Sequence, residues 1–269
     1  MASALFAGVK HAELYAKFRP HPPDALVKTI VSYLGEKVAP PFGSALDVGC
    51  GGGQSTLALA PHFARVTGID VSEAQIRCAQ EQRPAPNVTY RVCRAGAPWP
   101  VAPSSAQLVS FGQSFHWFEP GAALGEAGRV LGPGGAVALF GHWIPLPRPP
   151  GEKRARLLHA LVEQWLHDEQ LGPFWDAGRR AVQGRYSDVD PRPLTDIRRR
   201  NFVKIIDSSL SDYLGYLRTW SSFQKLLKQD AQRAEDLMQQ VQTRFLEVLD
   251  PAEISFPLHT DYFLILGRV

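Results

Sequence analysis

Two aspartates set around a glycine cluster are the residues of this chain best suited to hold a charged organic ligand. Residues 45–54 read Ala-Leu-Asp-Val-Gly-Cys-Gly-Gly-Gly-Gln. The apolar run Ala45, Leu46, Val48 ends in Gly49, Gly51 and Gly53, and a helical pattern follows at once. Strand, tight glycine turn and helix in that order build a nucleotide-binding crevice at the carboxyl end of a parallel strand. Glycine belongs there because the backbone turns sharply and must approach the ligand with no Cβ between them. Asp47 precedes the first glycine, and the pattern is Gly49-x-Gly51-x-Gly53, not Gly-x-Gly-x-x-Gly. A carboxylate at that strand tip repels a pyrophosphate and tolerates ammonium and sulfonium centres. The second acid, Asp70, ends a second expected strand, Ala64-Arg-Val-Thr-Gly-Ile-Asp70, 21 residues after Gly49. That matches the spacing of about 20 residues at which Rossmann-type folds place the acid for ribose hydroxyls. One carboxylate can accept from both hydroxyls of a vicinal diol.

A second group of candidates follows the fourth predicted strand, in Gly112-Gln-Ser-Phe-His-Trp-Phe118. His116 has an imidazole that titrates near neutrality, fit to take a proton or to orient a substrate. Trp117 offers a ring face to a cation. The plainer alternative is a polar cap on the sheet edge with Phe115, Trp117 and Phe118 in the core. His142 and Trp143 repeat the His-Trp pair at the tip of the fifth strand. Cys50, inside the glycine turn, is expected to be a small packed residue rather than a catalytic thiol.

The elements that would position these residues alternate from about residue 40. Strands are expected near 44–49, 65–70, 88–93, 106–111 and 136–140, with helices near 53–62, 72–82 and 119–131 between them. Ser72-Glu-Ala-Gln75 reads as a capping box opening the second helix, and Gly132-Pro-Gly-Gly135 stops the third. Repeated βα units require a parallel sheet with helices on both faces. Beyond residue 143 four prolines break the pattern. A helix near 151–170, a loop over 172–195, a strand at 202–206, a helical stretch over 209–248 in two pieces and a strand at 260–266 complete the chain. The apolar stripe from Phe223 to Leu249 is expected to be core.

The Asp47 to Gly53 turn, Asp70 and the Leu131-Gly-Pro-Gly-Gly135 turn resemble the class I S-adenosylmethionine-dependent methyltransferases. Tyr15-Ala-Lys-Phe-Arg-Pro20 and Leu217-Arg-Thr-Trp-Ser-Ser222 resemble segments of that family's methyltransferase type 11 and trans-aconitate methyltransferase-like group. The resemblance implies an α/β, Rossmann-like, seven-stranded and mostly parallel sheet with an antiparallel last strand and a helical cap insertion. It implies one domain over 1–269: a helical lid at 1–39, a cofactor-binding core at 40–143, a cap at 144–200 and 208–250, and closing strands at 201–207 and 259–268. The implied cofactor is S-adenosylmethionine, with S-adenosylhomocysteine as product. Its implied contacts are Tyr15, Asp47, Gly49, Gly51, Gly53, Asp70, Val71, Ala95 and Gln113. His116 is the implied catalytic residue, as a base or as an orienting group. Arg19, Trp117, His142, Trp143, Arg218, Trp220 and Ser221 are the implied substrate contacts, and no metal is expected. Two departures bear on the adenine end. Arg94-Ala-Gly-Ala-Pro-Trp-Pro100 stands where the family often has an acid, leaving backbone groups and Trp99, and Gln107 replaces a common aspartate.

Composition bounds the function. The chain has 269 residues and 45% apolar content, enough for one sizeable domain with a packed core. Its net charge of +3 and lack of long basic runs give no electrostatic footprint for nucleic acid. Arg198-Arg199-Arg200, the densest basic cluster, reads as a solvated strand face. Three cysteines are too few for a disulfide framework. With no signal pattern and no transmembrane-length stretch, a cytoplasmic monomer or weak dimer is expected. The resulting expectation is methyl transfer to a small organic molecule, by in-line displacement onto a carboxylate, hydroxyl, amine or thiol. A protein or RNA methyltransferase, and a non-catalytic cofactor-binding scaffold, are the alternatives.

Overall fold

The computed structural model describes residues 9–82, 84–94, 96–176, 178–249 and 255–269. Helices α1 (Val9–Phe18) and α2 (Asp24–Gly35) precede the first strand. Then β1 (Phe42–Val48), α3 (Gln54–Leu59), β2 (Phe63–Asp70), α4 (Glu73–Gln82), β3 (Val88–Val92), β4 (Ala106–Gly112), α5 (Pro120–Val130) and β5 (Leu131–His142) follow one another. β3, β2, β1, β4 and β5 lie side by side in that order, all parallel. The chain order reverses between β1 and β4, which is where an open α/β sheet parts to form a ligand crevice. β8 (Ser255–Arg268) runs antiparallel beside β5, and β7 (Thr195–Ser209) antiparallel beside β8.

The central strands are apolar on both faces because helices cover both. In β5, Ala136, Ala138 and Phe140 pack with Leu26, Ile30 and Leu34 of α2, while Val137 and Leu139 pack with Leu124, Ala127 and Val130 of α5. This alternation follows from the two-residue repeat of a strand, and burial on both sides is the rule for parallel sheets.

The structure departs from expectation at several boundaries. A two-residue strand, β6 (Leu146–Pro147), pairs with β8 and makes an eight-stranded sheet among the described residues, where seven were expected. Proline is tolerated there because the pairing is marginal and at an edge. β5 starts at Leu131 rather than Ala136. Leu131 leaves α5 directly in an extended conformation (φ −75°, ψ 133°) and pairs with Ala106, so the glycine turn lies within the strand as an irregularity of the ladder. β7 is much longer than its apolar stretch, since polar residues at a sheet edge extend a strand without an apolar signal, and β8 is lengthened by pairing with β7 from Ser255 to Arg268.

The predicted helix at 151–170 is α6 (Glu152–His159) continuing as a π-helix over Ala160–Gln170. The predicted loop contains α7 (Arg179–Gln183). The helical region after β7 has three pieces, α8 (Leu210–Arg218), α9 (Ser221–Gln229) and α10 (Ala231–Val248). Extended backbone at Trp220 and Asp230 makes the breaks, and Asp230 caps α10 by accepting from the Arg233 N–H at 2.9 Å. Leu158, Leu161, Val162, Tyr213, Trp220, Phe223, Leu237, Val241 and Phe245 bury against Phe256 and Leu258 of β8 in a third core. The late apolar stripe is therefore core. Among the described residues, no helix is long and apolar enough to cross a membrane.

Candidate active site

The glycine turn is held by the strand beside it. The N–H groups of Gly49 and Cys50 both donate to the Ile69 carbonyl, at 2.8 and 3.0 Å. Gly51 has φ +52° and donates its N–H to Asp70 Oδ2 at 2.9 Å. Gly53, at φ +85°, caps α3, and a Cβ there would run into the Tyr90 phenol. Asp70 Oδ1 accepts from the Ser72 N–H at 2.9 Å. The Val71 N–H adds to these two, and together the backbone amides fix the orientation of Asp70. Burial is the main cause of the upward shift in its pKa, opposed by those amides.

The Ser72–Gln75 capping box is half formed. Ser72 Oγ accepts from the Gln75 N–H at 3.3 Å, but Asp70 takes the Ser72 N–H that Gln75 would have reached. The Gln75 side chain turns instead to the glycine turn. Its Oε1 is buried without a hydrogen-bond partner, and a Cβ on Gly51 would stand 3.9 Å from it.

These groups open on one cavity of about 630 Å³, within the usual range for small-molecule sites. Of the residues singled out in the sequence, Gly49, Gly51, Asp70, Val71, Gln113, Tyr15, Arg19, Trp117 and His142 line it. Gln54, Gln75, Trp99, Glu119, Glu126 and Tyr262 also line it and were not singled out as contacts, apart from Trp99. Gln75 was legible only as a helix cap, and Tyr262 only as one residue of the last strand. Cys50 lines the cavity too, but burial raises its thiol pKa, so it is a packed thiol and not a nucleophile.

Several expected contacts do not reach the cavity. Asp47 is fully buried beneath the turn, where it accepts from the Thr56 and Ser110 hydroxyls at 2.7 Å each. It ties β1 to α3 and β4, and burial pushes its pKa up to about 6. Gly53 acts through the helix cap. His116 lies behind the wall, its Nδ1 hydrogen-bonded to the Tyr186 hydroxyl at 3.1 Å. Burial, then the charges of Arg179 and Arg19, push its pKa down to about 3. Trp143 donates to Glu163 at 3.0 Å and lies under the Arg179 guanidinium at 3.9 Å. Arg218 is paired with Glu235 through both its terminal nitrogens, at 2.7 Å each. Trp220 is 2% exposed, packed on Trp175 and Tyr216. Ser221 begins α9, away from the cavity lining. Ala95 falls outside the described residues.

Arg19 brings a cation to the cavity lining, and His142 lines it too. Arg19 donates to the Thr219 carbonyl at 3.1 Å and lies over the rings of Tyr15 and Tyr216, at 4.7 and 5.4 Å. It has no acidic partner among the described residues, and its Nε is buried without a hydrogen bond. His142 Nδ1 lies 2.6 Å from the Trp143 carbonyl, which can only accept, so Nδ1 carries the proton and Nε2 the lone pair. Burial, with Arg19 and Arg179 adding to it, pushes this imidazole down to about 3.

Residues 46–139 match the family model described as a methyltransferase domain. A solved structure from Anaeromyxobacter dehalogenans, a candidate type II methyltransferase, superposes with a TM-score of 0.70 at 27% identity. That likeness covers 93% of this chain and 98% of the other. The matched domain and this superposition support a class I S-adenosylmethionine-dependent methyltransferase. A candidate methyltransferase of Dictyostelium discoideum is 27% identical over 214 residues, 80% of this chain and 76% of that one. A ubiquinone biosynthesis O-methyltransferase of Pseudomonas fluorescens is 34% identical over 110 residues, which cover 40% of this chain and 47% of the relative.

The cavity of this methyltransferase fits S-adenosylmethionine on its own terms. Among the described residues Gln75 Oε1 lacks a donor, Asp70 lines the same cavity, the Gly51 position has room for a ligand where a Cβ would stand, and Trp99 offers an apolar wall.

Proposed function

We propose that this methyltransferase acts on a small organic acceptor bearing a carboxylate, and that Arg19 receives that carboxylate. The observation that carries the reading is the state of Arg19: a guanidinium on the cavity wall, fixed by a carbonyl and two aromatic rings, with no counter-charge among the described residues. Buried charges are costly unless paired, so a ligand carboxylate completes this wall. Arg218, the other cation considered as an anchor, is already neutralised by Glu235.

S-adenosylmethionine, when bound, supplies a methyl group already activated on a sulfonium. The residues that would hold it are Asp70 for the ribose, the Gly49–Gly51 turn and Gln75 beside it, and Trp99 at the adenine end. The remaining task of the chain is to align an acceptor and exclude water, which can contribute on the order of 7–11 kcal/mol. Arg19 anchors the acceptor. Trp117 and Phe118 wall the cavity against solvent. His142 offers Nε2 as a hydrogen-bond acceptor. With a pKa of about 3, the His142 and His116 rings are neutral at neutral pH and too weakly basic to take up a second proton, so an acceptor that is nucleophilic without losing a proton suits this wall. A carboxylate is such a group. The ubiquinone relatives, named for O-methylation in a biosynthetic route to a small molecule, agree with a small acceptor.

The test is transfer of labelled methyl from S-adenosylmethionine to a panel of small carboxylic acids and their matched amides. The reading expects label in one or more acids, none in the amides, and loss of transfer in Arg19→Gln. Label in the amides at equal rate contradicts it.

A further inference from the structure

The open edge of the sheet carries a surface that the cofactor site does not explain. β7 is fifteen residues long and pairs with β8 along its length, and with no other strand. Among the described residues its other edge is therefore an unpaired row of backbone donors and acceptors, which soluble proteins normally cover or blunt. Apolar side chains stand on it. Ile197, Val203, Ile205 and Ile206 are four of the eight exposed large hydrophobic residues among those described, and Val203 and Ile205 are 61% and 57% exposed. No proline interrupts the strand between Thr195 and Ser209, and its one irregularity lies at its start, between Thr195 and Arg198.

The charges on this edge select an occupant. Arg198 is satisfied within the chain by Glu36 and Asp196. Arg199 only donates to the Arg185 carbonyl at 3.4 Å, and has no acidic partner among the described residues. The Asp207 side chain, eight residues along, makes no ion pair or hydrogen bond among the described residues. One strand thus carries an unpaired cation and an unpaired anion on the same face, since residues of equal parity share a face. An arbitrary strand would meet the arginines as a barrier. A second copy of β7, run antiparallel, meets them with its own aspartate.

We propose that two copies of this chain join along β7 about a two-fold axis through Val203, with Arg199 of each copy opposite Asp207 of the other. A two-fold that continues a sheet keeps its faces, so opposed residues must have the same parity, and the interface is self-complementary. Registers that satisfy this differ by whole steps. Centring on Val203 sets Arg199 against Asp207 twice, Asn201 against Ile205, and Val203 against itself. Centring one residue further on puts Lys204 against Lys204, a like-charge pair directly across the ladder, which is unfavourable. The ion pairs act mainly by choosing the register, while the backbone ladder and the covered valines and isoleucines hold the copies together.

Sedimentation velocity from about 1 to about 100 µM tests this, because association follows mass action. The wild-type chain is expected to sediment as a dimer in the upper part of that range. Val203→Asp is expected to be monomeric with an unchanged melting temperature, since the side chain is exposed in the single chain. Arg199→Glu should raise the dimer dissociation constant at least about tenfold, and Arg199→Glu with Asp207→Arg should restore it. A wild type that stays monomeric, or a dimer that Val203→Asp leaves intact, overturns the interface. Failure of the double reversal to restore what the single reversal removes overturns the register.

Discussion

The side-chain amide of Gln113 grips the backbone of His142 at both ends. The His142 N–H donates to Gln113 Oε1 at 2.7 Å, and Gln113 Nε2 donates to the His142 carbonyl at 3.1 Å. Gln113 has φ +56°, a conformation uncommon for a residue with a side chain. The amide therefore bridges the tips of β4 and β5 at the cavity rim, and it aims the His142 imidazole inward. Gln113 lines the cavity, and its side-chain amide is engaged with protein on both sides. Gln113→Ala leaves two backbone groups unpaired and is expected to cost about 1–3 kcal/mol of stability. Chemical denaturation measures it. Gln113→Glu, which keeps the acceptor but loses the donor, should fall between wild type and alanine.

Asp47 gives a pH dependence with a definite sign. Its pKa is about 6 when folded, against 3.8 as a model carboxyl. The folded chain therefore binds the proton more tightly, and ionising Asp47 weakens the fold. The stabilisation is complete below about pH 4 and is lost as pH rises to about 6. Asp47→Asn keeps the shape: its oxygen accepts from one of the Thr56 and Ser110 hydroxyls and its amide nitrogen donates to the other, whose oxygen can accept. We expect its melting temperature at pH 7 to equal or exceed that of wild type, with a smaller decline between pH 4 and 6. A large loss at pH 7 would show that the negative charge itself is needed.

His142 gives the opposite sign. Its folded pKa of about 3 lies below the ordinary value of 6.5. The unfolded chain binds the proton better, so stability from this residue is full above about pH 6.5 and falls as pH drops toward 3. Imidazole nitrogen shifts in NMR should report a neutral ring with the proton on Nδ1 at pH 5 to 7, in a spectrum assigned by comparison with His142→Gln. A ring that titrates near 6.5 contradicts the geometry.

Gly51 tests the cradle with the smallest possible change. A Cβ there stands in a left-handed conformation, at φ +52°, and faces Tyr15 and Gln75 across the cavity. Gly51→Ala should cost about 1 kcal/mol or more in stability from backbone strain and lower S-adenosylhomocysteine affinity by more than tenfold. Calorimetry separates the two effects. Unchanged affinity would place the ligand elsewhere.

Much of this was legible in the sequence. Asp70 was readable because spacing and a strand end fix it together, and the glycines because only a positive φ and a near ligand require them. Asp47 was read at the right strand tip but with the wrong role. A carboxylate that meets two hydroxyls nine and 63 residues away gives no local signal. His116 and His142 looked alike, each followed by tryptophan. Packing decided between them, since α7 and Tyr186 cover the first and leave the second on the cavity. Arg218 and Trp220 were plausible contacts until the turn of α8 into α9 set one against Glu235 and buried the other. The length of β7 was hidden because an edge strand can be polar, and the apolar run 202–206 marked only its middle.

The central claim is that Asp70, Gln75 and the glycine turn form the S-adenosylmethionine site. Calorimetric titration of the wild-type chain and of Asp70→Ala with S-adenosylhomocysteine tests it most directly. Binding by the wild type in the micromolar range, reduced at least about a hundredfold in the variant while its melting temperature stays near wild type, is the predicted result. Equal affinity in both proteins, or no binding by the wild type, would contradict it.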